Sequence, residues 1–329
     1  MQSRIFGKTN LELSVLGLGG GSFRSLDNVP TDSDAVDIVA AAFENGYTMI
    51  DTAPLYGDSE RRIGIALREL SAQLPNNLVL NTKVGYRPHP FDYSYDATRK
   101  CVEESLATLG VTQLQLVHIH DVERSDLKTV MKGARRALHD MQTEGTIGYV
   151  GVSGGPVSIL QEFIDTGEFD SLITHNRFNL LDQPAASLLK RAKKLGLGTI
   201  NAAPFATGLL ADPSRISPTH GYQPANPEVI YRALQIETIC RNANLSIATV
   251  ALRFSTDNPL VDLTVAGATS PNEARSAAAA LEAHLPLSLL DQISQNFPPN
   301  KADNVELWRA DKKLDEAALT GYVNKDRTS

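Results

Sequence analysis

Four side chains able to move a proton between them stand at the ends of apolar runs. Asp51 follows Met49-Ile50 and is separated from Tyr56 by Thr52-Ala53-Pro54-Leu55; Lys83 closes Asn81-Thr82-Lys83; His120 lies in His118-Ile119-His120-Asp121. A free phenol, with a pKa of about 10, is a poor acid or base at neutral pH, but a nearby ammonium stabilises the phenolate, at about 1.4 kcal/mol per pKa unit. Lys83 is therefore expected to lower the Tyr56 pKa, Asp51 to hold Lys83 charged and in place, and His120 to orient a substrate oxygen while Tyr56 gives or takes the proton. Each residue taken alone has a plainer reading. Asp51 could cap a loop, Tyr56 could be half-buried, and His120 could be a satisfied core histidine. Lys83 is harder to dismiss, because a lysine ending an apolar strand is costly without a carboxylate partner. The conjunction carries the inference. None of the four can carry two electrons, so a redox reaction here requires a hydride-transfer cofactor.

These residues converge only if the runs that carry them are parallel neighbours. Short β-branched or leucine-rich runs alternate with amphipathic segments, the pattern of a parallel sheet with helical crossovers. The spacing predicts strands at Val15–Leu18, Tyr47–Asp51, Leu78–Lys83, Leu114–His118, Ile147–Val152, Ser171–His175, Gly198–Ala202 and Leu263–Ala266. Helices are expected at Ser33–Asn45, Ser59–Leu70, Tyr95–Leu109, Leu127–Glu144, Pro156–Asp165, Pro184–Leu195, Pro227–Asn242 and Pro271–Ala283. Thr31 or Asp32 suits the first helix cap, glycines 46, 110, 145 and 196 fall where helices end, and prolines 156, 184, 227 and 271 suit first turns. Eight such units in one undivided chain predict a (β/α)8 barrel over about 15–285, with the site at the C-terminal ends of its strands. Arg4–Phe6 and Leu13–Ser14 read as a hairpin around Gly7–Asn10 that plugs one end. Residues 204–226 are too long for an idle connector and read as a binding loop, and the polar stretch 298–329 as a tail or flap. A doubly wound dinucleotide fold would need G-x-G-x-x-G in the first turn, and that motif fails at Ser22.

The composition narrows the function further. Lys plus Arg number 31 against 38 Asp plus Glu, with no long basic run, which excludes a nucleic-acid footprint. The two cysteines, Cys101 and Cys240, lack metal-ligand spacing and read as reduced thiols. No long apolar window and no signal-peptide segment is present, so a cytoplasmic protein, with no membrane partner, is expected.

The chain resembles the aldo-keto reductase superfamily from about Arg4 to Leu285. The resemblance rests on DTAPLYGDSERRIGIALREL at 51–70, TKVG at 82–85, LQLVHIHDVE at 114–123, GYVGVSGG at 148–155 and APFATGLL at 203–210. It implies a catalytic tetrad of Asp51, Tyr56, Lys83 and His120, with His120 preferred to His118 on the spacing from Gly110-Val111. It also implies NAD(P) lying across the barrel mouth: Ser153 and His175 at the nicotinamide amide, Phe178 stacked on its ring, and Pro204, Gly208 and Leu210 in a loop over the pyrophosphate. Two departures stand out, Gly154 for the family's Asn and His175 for its Gln. In the stretch from Gly267 through Thr269 to Glu273, relatives that use NADP carry basic residues at 267 and 273. Here a carboxylate at 273 repels a 2′-phosphate, so NAD is expected and NADP remains possible.

FDYSYDATRKCVEESLATLG at 91–110, HIHDVE at 118–123, NRFNLLDQ at 176–183 and INAAPFATGLLA at 200–211 look most like the L-galactose dehydrogenase branch, close to the D-threo-aldose and D-arabinose dehydrogenases. That likeness implies oxidation of an aldose at C1 to the lactone. The loops offer Tyr86, Phe91 and Trp308 as candidate substrate contacts, and a monomer or homodimer is expected. Pyridoxal oxidation and general aldehyde or ketone reduction are the nearest alternatives. A metal-dependent hydrolase built on His118, His120, Asp121 and His175 lacks a further carboxylate, so no metal is expected. A cofactor-binding subunit without catalysis would not need an intact tetrad.

Overall fold

The computed structural model describes residues 1–24, 30–85 and 91–303. A short antiparallel hairpin, β1 (Ser3–Ile5) and β2 (Glu12–Ser14), precedes eight parallel strands. These are β3 (Leu16–Gly19), β4 (Met49–Asp51), β5 (Val79–Val84), β6 (Leu114–Ile119), β7 (Ile147–Gly154), β8 (Ser171–His175), β9 (Gly198–Ala202) and, beyond a small loop hairpin β10 (Thr219–His220) and β11 (Gln223–Pro224), β12 (Leu263–Gly267). Each pairs with the next in sequence, and β12 pairs with both β9 and β3, so the sheet closes into a (β/α)8 barrel. All eight expected strands are present, with ends displaced by one or two residues. Ile147–Gly154 runs past Val152 because Gly154 still pairs through its backbone with Thr174.

Side-chain alternation along the strands separates a plug from a site. Inward-facing Met49, Val79, Leu116, Ile173, Ile200, Leu263 and Val265 form one apolar cluster with Phe6 and Leu13 of the hairpin segment, which closes the N-terminal end as expected. Two and four residues further along, the same faces turn polar: Asp51 after Met49, Asn81 and Lys83 after Val79, His118 and His120 after Leu116, His175 after Ile173. Period two thus carries each strand from packing to chemistry.

The outer layer holds the strands against a larger core. It comprises α1 (Asp32–Glu44), α2 (Ser59–Glu69), α3 (Tyr95–Leu109), α4 (Leu127–Val130), α5 (Arg136–Thr143), α6 (Val157–Ile164), α7 (Ala186–Lys194), α8 (Pro227–Asn242), α9 (Ile247–Thr256), α10 (Pro271–Ala280) and α11 (Leu287–Asn296). Thr31 makes a capping box with Asp34 at the start of α1. Three expectations are corrected. Leu127–Glu144 is not one helix: a π turn at Met131–Arg135 separates α4 from α5. It centres on Gly133, where a Cβ would lie 2.0 Å from the Tyr93 carbonyl oxygen, so a residue without a side chain lets the helix approach that backbone. Two helices, α8 and α9, rather than one, connect β11 to β12, and α11 follows the barrel. With Leu209, Leu210 and Cys240 these three helices enclose a second apolar cluster. Cys101 and Cys240 are buried, and neither is in a disulfide. Among the described residues no helix is long and apolar enough to cross a membrane.

Candidate active site

Asp51, Tyr56, Lys83 and His120 meet at the C-terminal mouth of the barrel. Lys83 Nζ donates to both carboxylate oxygens of Asp51, at 2.8 Å each, and to the Thr52 carbonyl at 2.9 Å. Asn81 Nδ2 donates to Asp51 Oδ1 at 2.5 Å. The ammonium lies 4.8 Å from the centre of the Tyr56 ring, and the His120 ring meets the same ring edge-on, with centroids 5.7 Å apart. Tyr56 reaches this position because Pro54–Tyr56 forms a single 3-10 turn directly after β4. Below them, His118 is fastened inside the barrel between Asn81 Oδ1 at 2.8 Å and the Ser171 hydroxyl at 3.0 Å. His118 is thus held within the barrel, whereas the His120 ring lies against that of Tyr56. Tyr93 shares its hydroxyl proton between the carbonyls of His120 and Asp121, 2.8 Å from each, and so fixes the turn that presents His120.

The electrostatics correct one expectation. Burial raises the Tyr56 pKa well above its usual value, and the carboxylates of Asp51 and Asp121 add to the rise, against a smaller opposing effect of Arg24. The Lys83 charge is already matched by Asp51, so the phenol keeps its proton. Burial also lowers His120 to about 4, which makes it a neutral imidazole at physiological pH. Asp121 opposes that shift from 3.7 Å. Burial disfavours the Asp121 carboxylate, but His120 and His175, the latter 3.8 Å away, outweigh it and hold its pKa below the usual range. Burial and then Asp121 raise Glu123 to about 7.

The remaining expected residues divide. Ser153, buried at the end of β7, donates to the Ile119 carbonyl at 3.2 Å, and His175 ends β8 beside Asp121. Pro204 and Gly208 lie in the turn after β9, where a Cβ at Gly208 would fall 2.0 Å from Arg215 Nη1. Leu210 packs its side chain into the second apolar cluster, away from the mouth. Phe178 is 3% exposed and packs against Phe254 of α9, with centroids 5.1 Å apart, two residues after left-handed Asn176. Gly267 pairs with Gly19, and Glu273 folds back at the start of α10 to accept from the Thr269 amide at 2.8 Å and hydroxyl at 3.1 Å. Phe91 lies between Tyr93 and the Arg124 guanidinium, whereas Tyr86 and Trp308 lie outside the described residues.

The reading of the residues assigned no role to Arg215, Tyr222 or Glu123. Arg215 brings a cation to the turn after β9, and Tyr222, on the β10–β11 hairpin, sets its ring 6.0 Å from that of His175. The length of the 204–226 segment signalled that loop, but nothing in the sequence singled out these positions within it. Ligand atoms of Asp121, Glu123 and His175 lie within 4.8 Å of one another, and the HDVE run contained two of the three.

Residues 15–295 match the model of the Aldo/keto reductase family. The chain belongs to that family. Its relatives include an L-galactose dehydrogenase from Arabidopsis thaliana, 29% identical over 85% of this chain and 88% of the relative. A D-threo-aldose 1-dehydrogenase from a Pseudomonas species is 27% identical over 87% of this chain and 94% of its own length. In the fold, the chain superposes on the holo form of an aldo-keto reductase from Bacillus halodurans with a TM-score of 0.76, at 22% identity, covering 92% of this chain and 97% of that one. An aldo-keto reductase chain is an oxidoreductase by family, and the constellation above lies where that barrel carries its chemistry.

Proposed function

We propose that this oxidoreductase oxidises the C1 hydroxyl of an aldose, of the L-galactose, L-fucose or D-arabinose type, to the lactone with NAD as the preferred acceptor. The observation that carries the reading is the Tyr56 ring held between the Asp51-paired Lys83 ammonium and the edge of a neutral His120. The names of the aldose dehydrogenases among its relatives support the substrate class.

The rim residues fit a nicotinamide dinucleotide. Ser153, Asp121, Glu123 and His175 offer polar groups for the amide end, and Arg215 offers a cation for the pyrophosphate. When bound, the nicotinamide supplies the two-electron acceptor for the C1 hydride. His120 donates its ring N–H to the C1 oxygen and fixes C1, and Tyr56 Oη takes the hydroxyl proton as the C1 carbonyl forms. Tyr56 must first be a phenolate, and the positive charge of an oxidised nicotinamide favours that form. Glu273 supports NAD over NADP, because its carboxylate already occupies the amide at the head of α10 where a 2′-phosphate would bind. Arg275, the nearby cation, is paired with Glu44 at 3.6 Å.

The protonated phenol favours a second reading, the reverse reaction, in which Tyr56 donates to an aldehyde oxygen. Initial rates with L-galactose, L-fucose, D-arabinose, pyridoxal and a simple aldehyde, each with both dinucleotides in both redox states, test the two. Lactone formation with NAD is expected to exceed the other rates. Turnover confined to aldehyde reduction would overturn the dehydrogenase reading.

A further inference from the structure

Glu123 stands in the turn after β6 with one carboxylate oxygen used and the other not. Oε1 accepts from the Gly155 amide at 3.1 Å, whereas Oε2 is buried with no hydrogen-bond partner among the described residues. A Cβ on residue 154 would lie 2.4 Å from that Oε2, so a side chain at 154 would push the Glu123 carboxyl out of its present position. The glycine that departs from the family pattern is therefore not an empty place, because Glu123 fills it. The carboxyl lies with Asp121 and His175, polar atoms of the three being within 4.8 Å of one another, and Asp121 in turn lies 3.7 Å from His120.

A buried carboxylate oxygen without a donor is costly unless a ligand supplies one. Two carboxyl groups side by side also repel when both are ionised, and a cation nearby relieves that repulsion. We propose that Glu123 is a binding residue of the cofactor site that, with Asp121, receives the N–H groups of the nicotinamide carboxamide and favours the oxidised, cationic ring over the neutral reduced one. The assignment rests on the dinucleotide reading above. Near neutral pH the Glu123 carboxyl is present in both protonation states, and an adjacent cation draws it to the carboxylate. The residue thereby biases the site toward oxidising the substrate.

Binding to the full-length protein without sugar tests the idea, by calorimetry for NAD+ and by fluorescence for NADH. Glu123→Gln keeps the shape and removes the charge. It is expected to weaken NAD+ about tenfold while leaving NADH within about twofold. Gly154→Ala, which displaces the carboxyl, should produce the same preference, and combining it with Glu123→Gln should add little. Equal losses for both redox forms would overturn the proposal. So would unchanged dinucleotide binding with a raised KM for the aldose alone, which would make sugar hydroxyls the donors. Loss of a stoichiometric divalent metal as the sole effect of Glu123→Gln would assign the cluster to a cation and overturn it too. If the unaltered protein binds neither dinucleotide, the dehydrogenase reading falls first and this one with it.

Discussion

Replacing Lys83 with Met tests the centre of the site through stability and turnover together. The ammonium is 3% exposed and its Asp51 partner 5%, so neither charge is screened by solvent. Three contacts of 2.8–2.9 Å are lost, and among the described residues Asp51 retains the Asn81 amide as its side-chain donor. Two unit charges 2.8 Å apart interact by about 6 kcal/mol at an effective dielectric of about 20, before desolvation is counted. Breaking one side of such a pair typically costs about 3–5 kcal/mol, a large share of the roughly 5–15 kcal/mol of a folded domain. Removing both charges, as Asp51→Asn with Lys83→Met, leaves no orphaned ion and should recover about half of that loss. Guanidinium titrations of the four proteins close the double-mutant cycle, with an expected coupling of about 2–4 kcal/mol. Turnover should fall by about 10²–10⁴ in Lys83→Met and in the double variant, since the Tyr56 ring loses its nearest cation there. A Lys83→Met loss below about 1 kcal/mol, or strictly additive losses, would refute the claim that this pair is a desolvated unit.

Tyr56→Phe is expected to lower turnover by about 10³ or more with dinucleotide affinity within twofold, read by initial rates and fluorescence titration; retained turnover with lost affinity would contradict the proton-transfer role. Because burial holds the phenol proton, kcat/KM for oxidation should climb as pH rises from 7 to 9, and a flat or falling profile would count against Tyr56 as acceptor. The His120 pKa of about 4 sets a second sign. The imidazole is neutral from pH 8 down to 5, so in Glu123→Gln, which removes the other group titrating near neutrality, aldehyde reduction should show no step near 6.5, and a step there would mean an exposed, ordinary histidine. Glu273→Arg should move preference toward NADP while costing about 1 kcal/mol for the broken helix start, so unchanged discrimination with the stability loss would confine Glu273 to capping. Tyr93→Phe leaves the carbonyls of His120 and Asp121 without their donor, at a cost of about 1–3 kcal/mol, and should lower kcat more than it raises KM; the reverse split would show that Tyr93 does not position His120.

The barrel was legible, and so was the meeting of Asp51, Lys83 and His120 at one mouth, because both follow from period two. A strand buried on both faces reads as an apolar run, and the polar residue that interrupts it near its end faces the mouth: Asp51 in β4, Lys83 in β5, His120 beyond β6. The π turn was not legible. Residues 127–144 have helical spacing throughout, and the close approach of Gly133 to the Tyr93 backbone, about forty residues earlier, is a tertiary contact that spacing does not show. The α9 segment failed for the opposite reason. Ile247, Thr249 and Val250 weaken its helical signal, and tertiary burial against β12 overrides that preference.

The same contrast holds within the site. Phe178 packs against Phe254, two residues after left-handed Asn176, a contact that its spacing from His175 does not show. The Tyr56 pKa moves up rather than down because a sequence shows that an ammonium is present but not that a carboxylate has already matched it. Residue 154 reads as a lost contact in one dimension, whereas in three dimensions the missing side chain is the condition for the Glu123 carboxyl to be there. A substitution within one strand end and an acid thirty-one positions earlier are thus one feature. Only the parallel register of β6 beside β7 brings them together.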